Sequence, residues 1–396
     1  MLSGGGARGA YEVGVLSGII EILRAAGHQG PIFDIFSGSS VGAVNIAWLA
    51  AQAHRPDYAI QGLVSHWEEL RFQEHLRFNL KFWGRGGKAL CPKGKLPDVE
   101  TLGWSAVNPL ALETLVRREV PWDELHASVR SGRVRSVIVS ALDIASGRST
   151  LFVEKNTKAN FQSSLDNGRV AREEAITADH VLASAAIPML FPARRVGSRF
   201  YCDGGIRSNT PISPAIRAGA TRLVVVSLRF DHRDDEAEYP AIEAERVASY
   251  PRAVFLMGKI LSALLLDPVQ YDLRVLQRLN RLLSTLEGSL NPSALAELHR
   301  TTQEARGLPY RAVETLVFQP SRDIGHLAAQ RANELRGLTF SSFVLRQLSR
   351  LGSTWEADLL SFLLFDGVFA ARLITLGRLD ALRRKEEVLR FFQVKV

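Results

Sequence analysis

Apolar and polar positions along residues 1–230 alternate between two periods. AYEVGVLSGIIEILRAAG (10–27) carries apolar side chains at helical spacing and stops at Gly27, which predicts a helix. IFDIFS (32–37) reads as a short buried strand entering a turn, with Asp34 inside it. VGAVNIAWLAAQAH (41–54) reads as a helix of small residues, and a further helix is expected over 57–72. RVRSVIVSALDIASGRSTLFVE (133–154) predicts two strands about a turn at Ser146-Gly147. The stretch from Ala178 runs from a short helix through Pro188 and Pro192 into a hairpin. TRLVVVSL (221–228) is a continuous apolar run of the kind buried in a parallel sheet.

Beyond a charged break at 229–240 the pattern turns helical. Residues 271–287 and 349–392 are amphipathic, and VETLVFQPS (313–321) interrupts as a strand. Residues 74–99 follow neither period. They mix Phe78, Phe82 and Trp83 with Arg85, Lys88, Lys93 and Lys95, and they are long for a loop in a compact domain. Two readings stay open for them: a solvated loop with a few buried aromatics, or a peripheral contact with an anionic membrane.

Composition narrows the class. The chain has 396 residues, 46% hydrophobic and 23% charged, which is enough to bury a sizeable core. The net charge of +8 fits either an Arg-rich soluble protein or one drawn to an anionic surface. Two cysteines, Cys91 and Cys202, make no disulfide framework and no zinc pattern. The apolar run 253–266 is short for a membrane span and contains Lys259. No signal peptide is visible, so a cytoplasmic location with peripheral membrane contact is the expectation.

Three short segments carry chemistry. Gly4, Gly6 and Gly9 form G-x-G-x-x-G, a spacing that serves phosphate and dinucleotide sites but is weak evidence alone. The second segment, Gly38-Ser39-Ser40-Val41-Gly42, matches G-x-S-x-G between a strand and a helix, the context of a nucleophile elbow. Ser40 has glycine at both flanking offsets and is the expected nucleophile; Ser39 is out of register. A serine needs a base. The α/β-hydrolase order would supply a histidine, yet His180, His232, His299 and His326 stand in ordinary structural contexts, and only 39 residues precede Ser40. The third segment is Asp203-Gly204-Gly205, where the glycines permit a tight turn that exposes a carboxylate at a strand end. Alone it is most often just a turn; with the other two segments it becomes a candidate base.

In that order, GGGARG (4–9), GSSVG (38–42) and DGG (203–205) make the chain resemble the bacterial patatin-like phospholipases, whose pattern is G-G-G-x-[RK]-G, G-x-S-x-G and D-G-[GA]. ASAAIPMLFPA (183–193) and NTPISPAIRAGA (209–220) add to the resemblance, which spans 1–228. It implies an α/β fold, a three-layer sandwich with a mostly parallel central sheet. It divides the chain into an acyl hydrolase domain, 1–228, and a mainly helical extension, 229–396, packed on it. It also implies a Ser40–Asp203 dyad without histidine, metal or organic cofactor, acting on phospholipid or lysophospholipid. The loop of Gly4, Gly5, Gly6, Ala7, Arg8 and Gly9 would receive the oxyanion on backbone N–H groups. Arg8 would either support that loop or neutralise a phosphate headgroup. Such a base works near neutral pH only if burial raises its pKa, so Asp203 is expected to be shielded and close to Ser40.

Family members carry several strand residues before the glycines. Met1, Leu2 and Ser3 stand there in this chain, so a trimmed start or a short first strand is expected. A nucleotide-binding module would require a full first strand and an acid ending the second, and would leave the elbow and Asp203 unexplained; nucleic acid is not an expected partner. A patatin-like fold without catalysis, serving as a membrane-associated scaffold, is the remaining alternative.

Overall fold

In a computed structural model of the chain, the described residues are 1–71, 101–102, 110–188, 190–208, 212–230, 253–335 and 356–394. The basic aromatic stretch 74–99, the Asn209–Pro211 portion of the family-like segment, and His232 lie outside them.

A one-turn 3-10 helix, Gly6–Arg8, leads into α1 (Gly9–Ala25). α1 closes at Gly27, whose φ of 79° places it in the left-handed region, while the His28 N–H returns to the Leu23 carbonyl at 3.0 Å. Next come β1 (Ile35–Ser39), α2 (Val41–Ala51) and α3 (Pro56–Glu68). β1 starts three residues later than the expected strand and runs into the small residues Ser37, Gly38 and Ser39. Parallel pairing with β3 draws them in, and composition does not report pairing. Asp34 consequently precedes the strand and does not sit within it.

β2 (Thr101–Leu102), α4 (Leu110–Arg118), α5 (Trp122–Arg130), β3 (Ser136–Asp143), β4 (Ser149–Lys155) and β5 (Arg169–Glu173) follow. After them come α6 (Ala178–Ser184), β6 (Ala193–Val196), β7 (Arg199–Asp203), α7 (Gly205–Ser208), α8 (Ile212–Arg217) and β8 (Arg222–Val226). The later part of the chain supplies α9 (Ala253–Leu265), α10 (Asp267–Ser289), α11 (Pro292–Arg306), β9 (Glu314–Phe318) and α12 (Ile324–Glu334). It ends in α13 (Glu356–Leu363), α14 (Gly367–Arg383) and α15 (Lys385–Phe391). The single amphipathic pattern read over 349–392 thus breaks into three helices over its described part. Asp366 makes one break, because its carboxylate accepts the Phe369 N–H at 3.0 Å and starts α14.

β3 organises the sheet. On one edge it pairs antiparallel with β4, which pairs parallel with β5. On its other edge two strands lie end to end: β1 in parallel, up to Ser39 opposite Ser140, and β7 antiparallel, from Asp203 opposite Ala141. β6 and β2 continue outward from β7, both antiparallel. β8 pairs parallel with β9, and Leu2 bridges the two parts by pairing parallel with Gly38 and with Val226. Before the glycines, Leu2 takes this bridging position, and Met1 is tied to β8 through the Val224 carbonyl and the Val226 N–H. The α/β class is as expected, with strand directions that are mixed. The run β9, β8, Leu2, β1, β3 is parallel, whereas the short turns after β3 and β6 join their strands as antiparallel hairpins.

Alternation in the strands feeds cores on both faces. Val137, Val139, Phe152, Val224 and Val226 join the large core with α1, α2, α6 and α14. Ile138, Leu151 and Val153 face Phe161 and Ala218, while Leu223 and Val225 face α8 and α10. α1 is buried almost all round, which requires cover on the side away from the sheet. α14 provides it. Close approach is permitted by Gly377, since a Cβ there would meet the Tyr11 carbonyl and fall 2.8 Å from the Val15 nitrogen. The Tyr11 hydroxyl donates to Asp380 of α14 at 3.0 Å.

Gly377→Val is expected to destabilise the chain by about 1–3 kcal/mol or more through this overpacking. Urea unfolding of the two proteins measures it, and equal midpoints would show that α1 and α14 tolerate separation.

Candidate active site

The junction of β1 and β7 on the edge of β3 generates the site. Ser39 pairs with Ser140 and Asp203 with Ala141, so two residues 163 positions apart in the chain, Ser40 and Asp203, meet where the two strands end. Ser40 is the first non-strand residue and caps α2, with φ 53° and ψ −128°. A serine in this region costs on the order of 1–3 kcal/mol and persists only where its surroundings hold it. They do so here. The Ser40 N–H donates to Ser184 Oγ at 2.9 Å, Ser184 Oγ donates to the Ser140 carbonyl at 2.6 Å, and the Ser40 carbonyl accepts the Ala43 N–H at 2.9 Å. The elbow glycines are packed against backbone: a Cβ on Gly38 would fall 2.6 Å from the Gly42 carbonyl oxygen, and one on Gly42 would fall 2.5 Å from that of Leu2.

Asp203 is fully buried. Its Oδ1 accepts the Gly205 N–H at 2.7 Å, and its own N–H donates to the Ala186 carbonyl at 2.9 Å. Oδ2 is buried with no hydrogen-bond partner among the described residues. Burial pushes the carboxyl up to about 7; the nearby Ser40 side chain and the Gly205 N–H pull the other way and are outweighed. Gly204 packs against the Ser140 backbone and lets β7 end beside β3. Ser39, by contrast, is a fully buried strand residue whose hydroxyl has no partner among the described residues.

Of the glycine loop, Gly6 lines the same pocket as Ser40, together with Val41. The Arg8 N–H is taken by the Gly5 carbonyl, and that of Gly9 by the carbonyls of Gly6 and Ala7. The first N–H groups of the turn, on Gly6 and Ala7, have no partner within it. Ser3 and Asn45 tie this loop to the body through Glu12. Glu12 Oε1 accepts the Ser3 N–H at 2.8 Å, Oε2 accepts Asn45 Nδ2 at 3.1 Å, and Asn45 Oδ1 accepts Trp67 Nε1 at 3.1 Å. Burial drives Glu12 up to about 8 against the pull of these bonds.

The Ser40 pocket is walled by Ala185, Ile187, Phe191, Phe362 and Phe365. Val41, Val44, Phe191 and Phe365 also line an adjoining apolar pocket, together with Trp48, Trp67 and Val120. Sequence reading missed Ser184, which sits inside the family-like ASAAIPMLFPA stretch, and Phe362 and Phe365, which carry no local signal. His180 serves the fold: it closes a capping box with Thr177 at the start of α6.

An α/β chain that holds a strained serine beside a buried carboxylate, in the lining of an apolar pocket, has the outline of a lipid ester hydrolase. The family model described as patatin-like phospholipase matches residues 1–216, and the chain belongs to that family of lipid acyl hydrolases. No curated protein matches it in sequence. A crystal structure of VipD from Legionella pneumophila is similar over 94% of this chain and 90% of that chain, with 12% identity and a TM-score of 0.30.

Two outcomes test the site's construction. Ser184→Ala should strip the Ser40 N–H of its partner and cost about 1–3 kcal/mol in chemical unfolding. Glu12 is raised in the folded state, so its contribution is complete below about pH 4.5 and lost as pH rises through about 8. Glu12→Gln should therefore shrink the stability difference between pH 5 and pH 9; an unchanged difference would show that Glu12 does not titrate in this window.

Proposed function

We propose that this protein is a serine lipid acyl hydrolase that cleaves carboxylic esters of phospholipids or lysophospholipids through an acyl-Ser40 intermediate. Ser40 Oγ attacks the ester carbonyl carbon as its proton passes to Asp203. The carbonyl oxygen, now an oxyanion, is received by the N–H groups at the start of the Gly6–Arg8 turn. Collapse expels the lysolipid or glycerol oxygen, which takes the proton back from Asp203. Water, deprotonated by the same carboxylate, then releases the fatty acid and restores Ser40.

The observation that carries this reading is the pairing register that brings Ser40 and a buried carboxylate to one strand junction. Burial matters chemically. A carboxylate near its ordinary pKa is a poor proton acceptor, whereas one at about 7 is half ionised at neutral pH and holds a transferred proton well. The apolar lining of the two pockets supports a fatty acyl chain as the group bound next to Ser40.

Ser40→Ala and Asp203→Asn should each lower hydrolysis of phospholipid and p-nitrophenyl esters by roughly 10²–10⁴-fold. The wild type should gain kcat/KM with rising pH and level off above about 7, because only the ionised carboxyl accepts the proton. Activity in Asp203→Asn equal to the wild type would remove Asp203 from the mechanism.

A further inference from the structure

Residues 358–365 lie beyond the family match, yet they form one wall of the Ser40 pocket through Phe362, Leu363 and Phe365. Their backbone presses on the glycine turn: a Cβ added to Gly6, at φ 55°, would overlap the Phe362 carbonyl. Next to that contact, Arg8 reaches out of the turn into α13. Arg8 Nη2 pairs with Asp358 Oδ1 at 2.6 Å, and Nε donates to Ser361 Oγ at 2.7 Å. Nη1 lies 3.5 Å from the Leu228 carbonyl, and the guanidinium covers the Phe362 ring at 4.4 Å from its centroid. Ser361 Oγ donates in turn to the Asp358 carbonyl at 2.6 Å. Arg8 is 4% exposed, and every guanidinium nitrogen faces a protein acceptor, so its charge is spent inside the protein and not offered to a headgroup.

We propose that Arg8 is a positioning residue for the oxyanion turn, and that Asp358 and Ser361 of α13 are the groups through which it acts. This rests on the Ser40 reading above. A three-residue turn flanked by glycines has little stiffness of its own. Its N–H groups stabilise an oxyanion only if they hold their direction while charge develops. Charge-assisted bonds from a planar guanidinium to two acceptors on one helix supply that rigidity. The C-terminal part of the chain thereby becomes a component of the catalytic centre.

The test uses the full chain with Asp358→Ala, Asp358→Asn and Arg8→Lys. Each is assayed on a short neutral p-nitrophenyl ester and on a short-chain phosphatidylcholine. Rates are divided by the Ser40 titrated to completion with a fluorophosphonate, so a partly unfolded variant does not count as an impaired one. Asp358→Ala should lower kcat by about tenfold or more on both substrates with KM little changed, the pattern of an interaction realised only in the transition state. Asp358→Asn, which keeps an acceptor oxygen, should fall between it and the wild type. An unchanged kcat per titrated serine would make α13 a structural anchor alone and overturn the proposal. A loss confined to phosphatidylcholine would also overturn it, by making Arg8 a headgroup contact. Failure of the Ser40 reading shows itself separately, as hydrolysis by Ser40→Ala equal to the wild type and no label on Ser40.

Discussion

The positive φ of Ser40 is the constraint around which the molecule is arranged. A serine adopts that conformation only under compulsion. Compulsion comes from a strand that ends in register with β3, a helix that must start at the next residue, and a hydrogen bond that the Ser40 N–H donates to Ser184 Oγ. Leu2 wedges the backbone from below, close enough that only glycine fits at position 42. The same strand edge then receives β7, whose final residue is Asp203. The strained serine and the carboxylate are thus products of one sheet edge, and both are buried.

That burial has a second source in the later part of the chain. α1 carries apolar residues on nearly every face, so the Ser40 side of the sheet cannot be closed by α1 to α3 alone. α14 covers α1, β9 extends the sheet beside β8, and α13 with the turn after it covers the pocket at Ser40. Arg8 links these layers: it leaves the glycine turn and ends in α13. A charged side chain so deeply placed is tolerable because each of its nitrogens finds an acceptor.

Several elements were legible from period and composition. The hairpin of β3 and β4, the apolar strand β8, the strand β9 and the helix closing at Gly27 all carry local signals of alternation, apolar runs or turn residues. The failures have local causes too. β1 was displaced because Ser-Gly-Ser has the composition of a turn, while pairing with β3 makes it strand. The apolar spacing of 349–392 runs straight across the cap at Asp366, so amphipathic period alone does not mark the break there.

By itself the sequence singled out the candidates for the chemistry. Ser40 between two glycines after a strand, Asp203 before two glycines, and a glycine turn leading into a helix are short-range statements, written in contiguous residues because strained turns need small neighbours on the spot. Only the tertiary structure decided that Ser40 and Asp203 meet, that burial lifts the carboxyl to about 7, that Gly6 shares a pocket with Ser40, and that Arg8 is consumed by Asp358 and Ser361. Those facts depend on strand register and on contacts between residues up to 353 positions apart, which leave no period in the chain. The question left open at Arg8 by its motif is answered by a helix whose own sequence gives no hint of its partner.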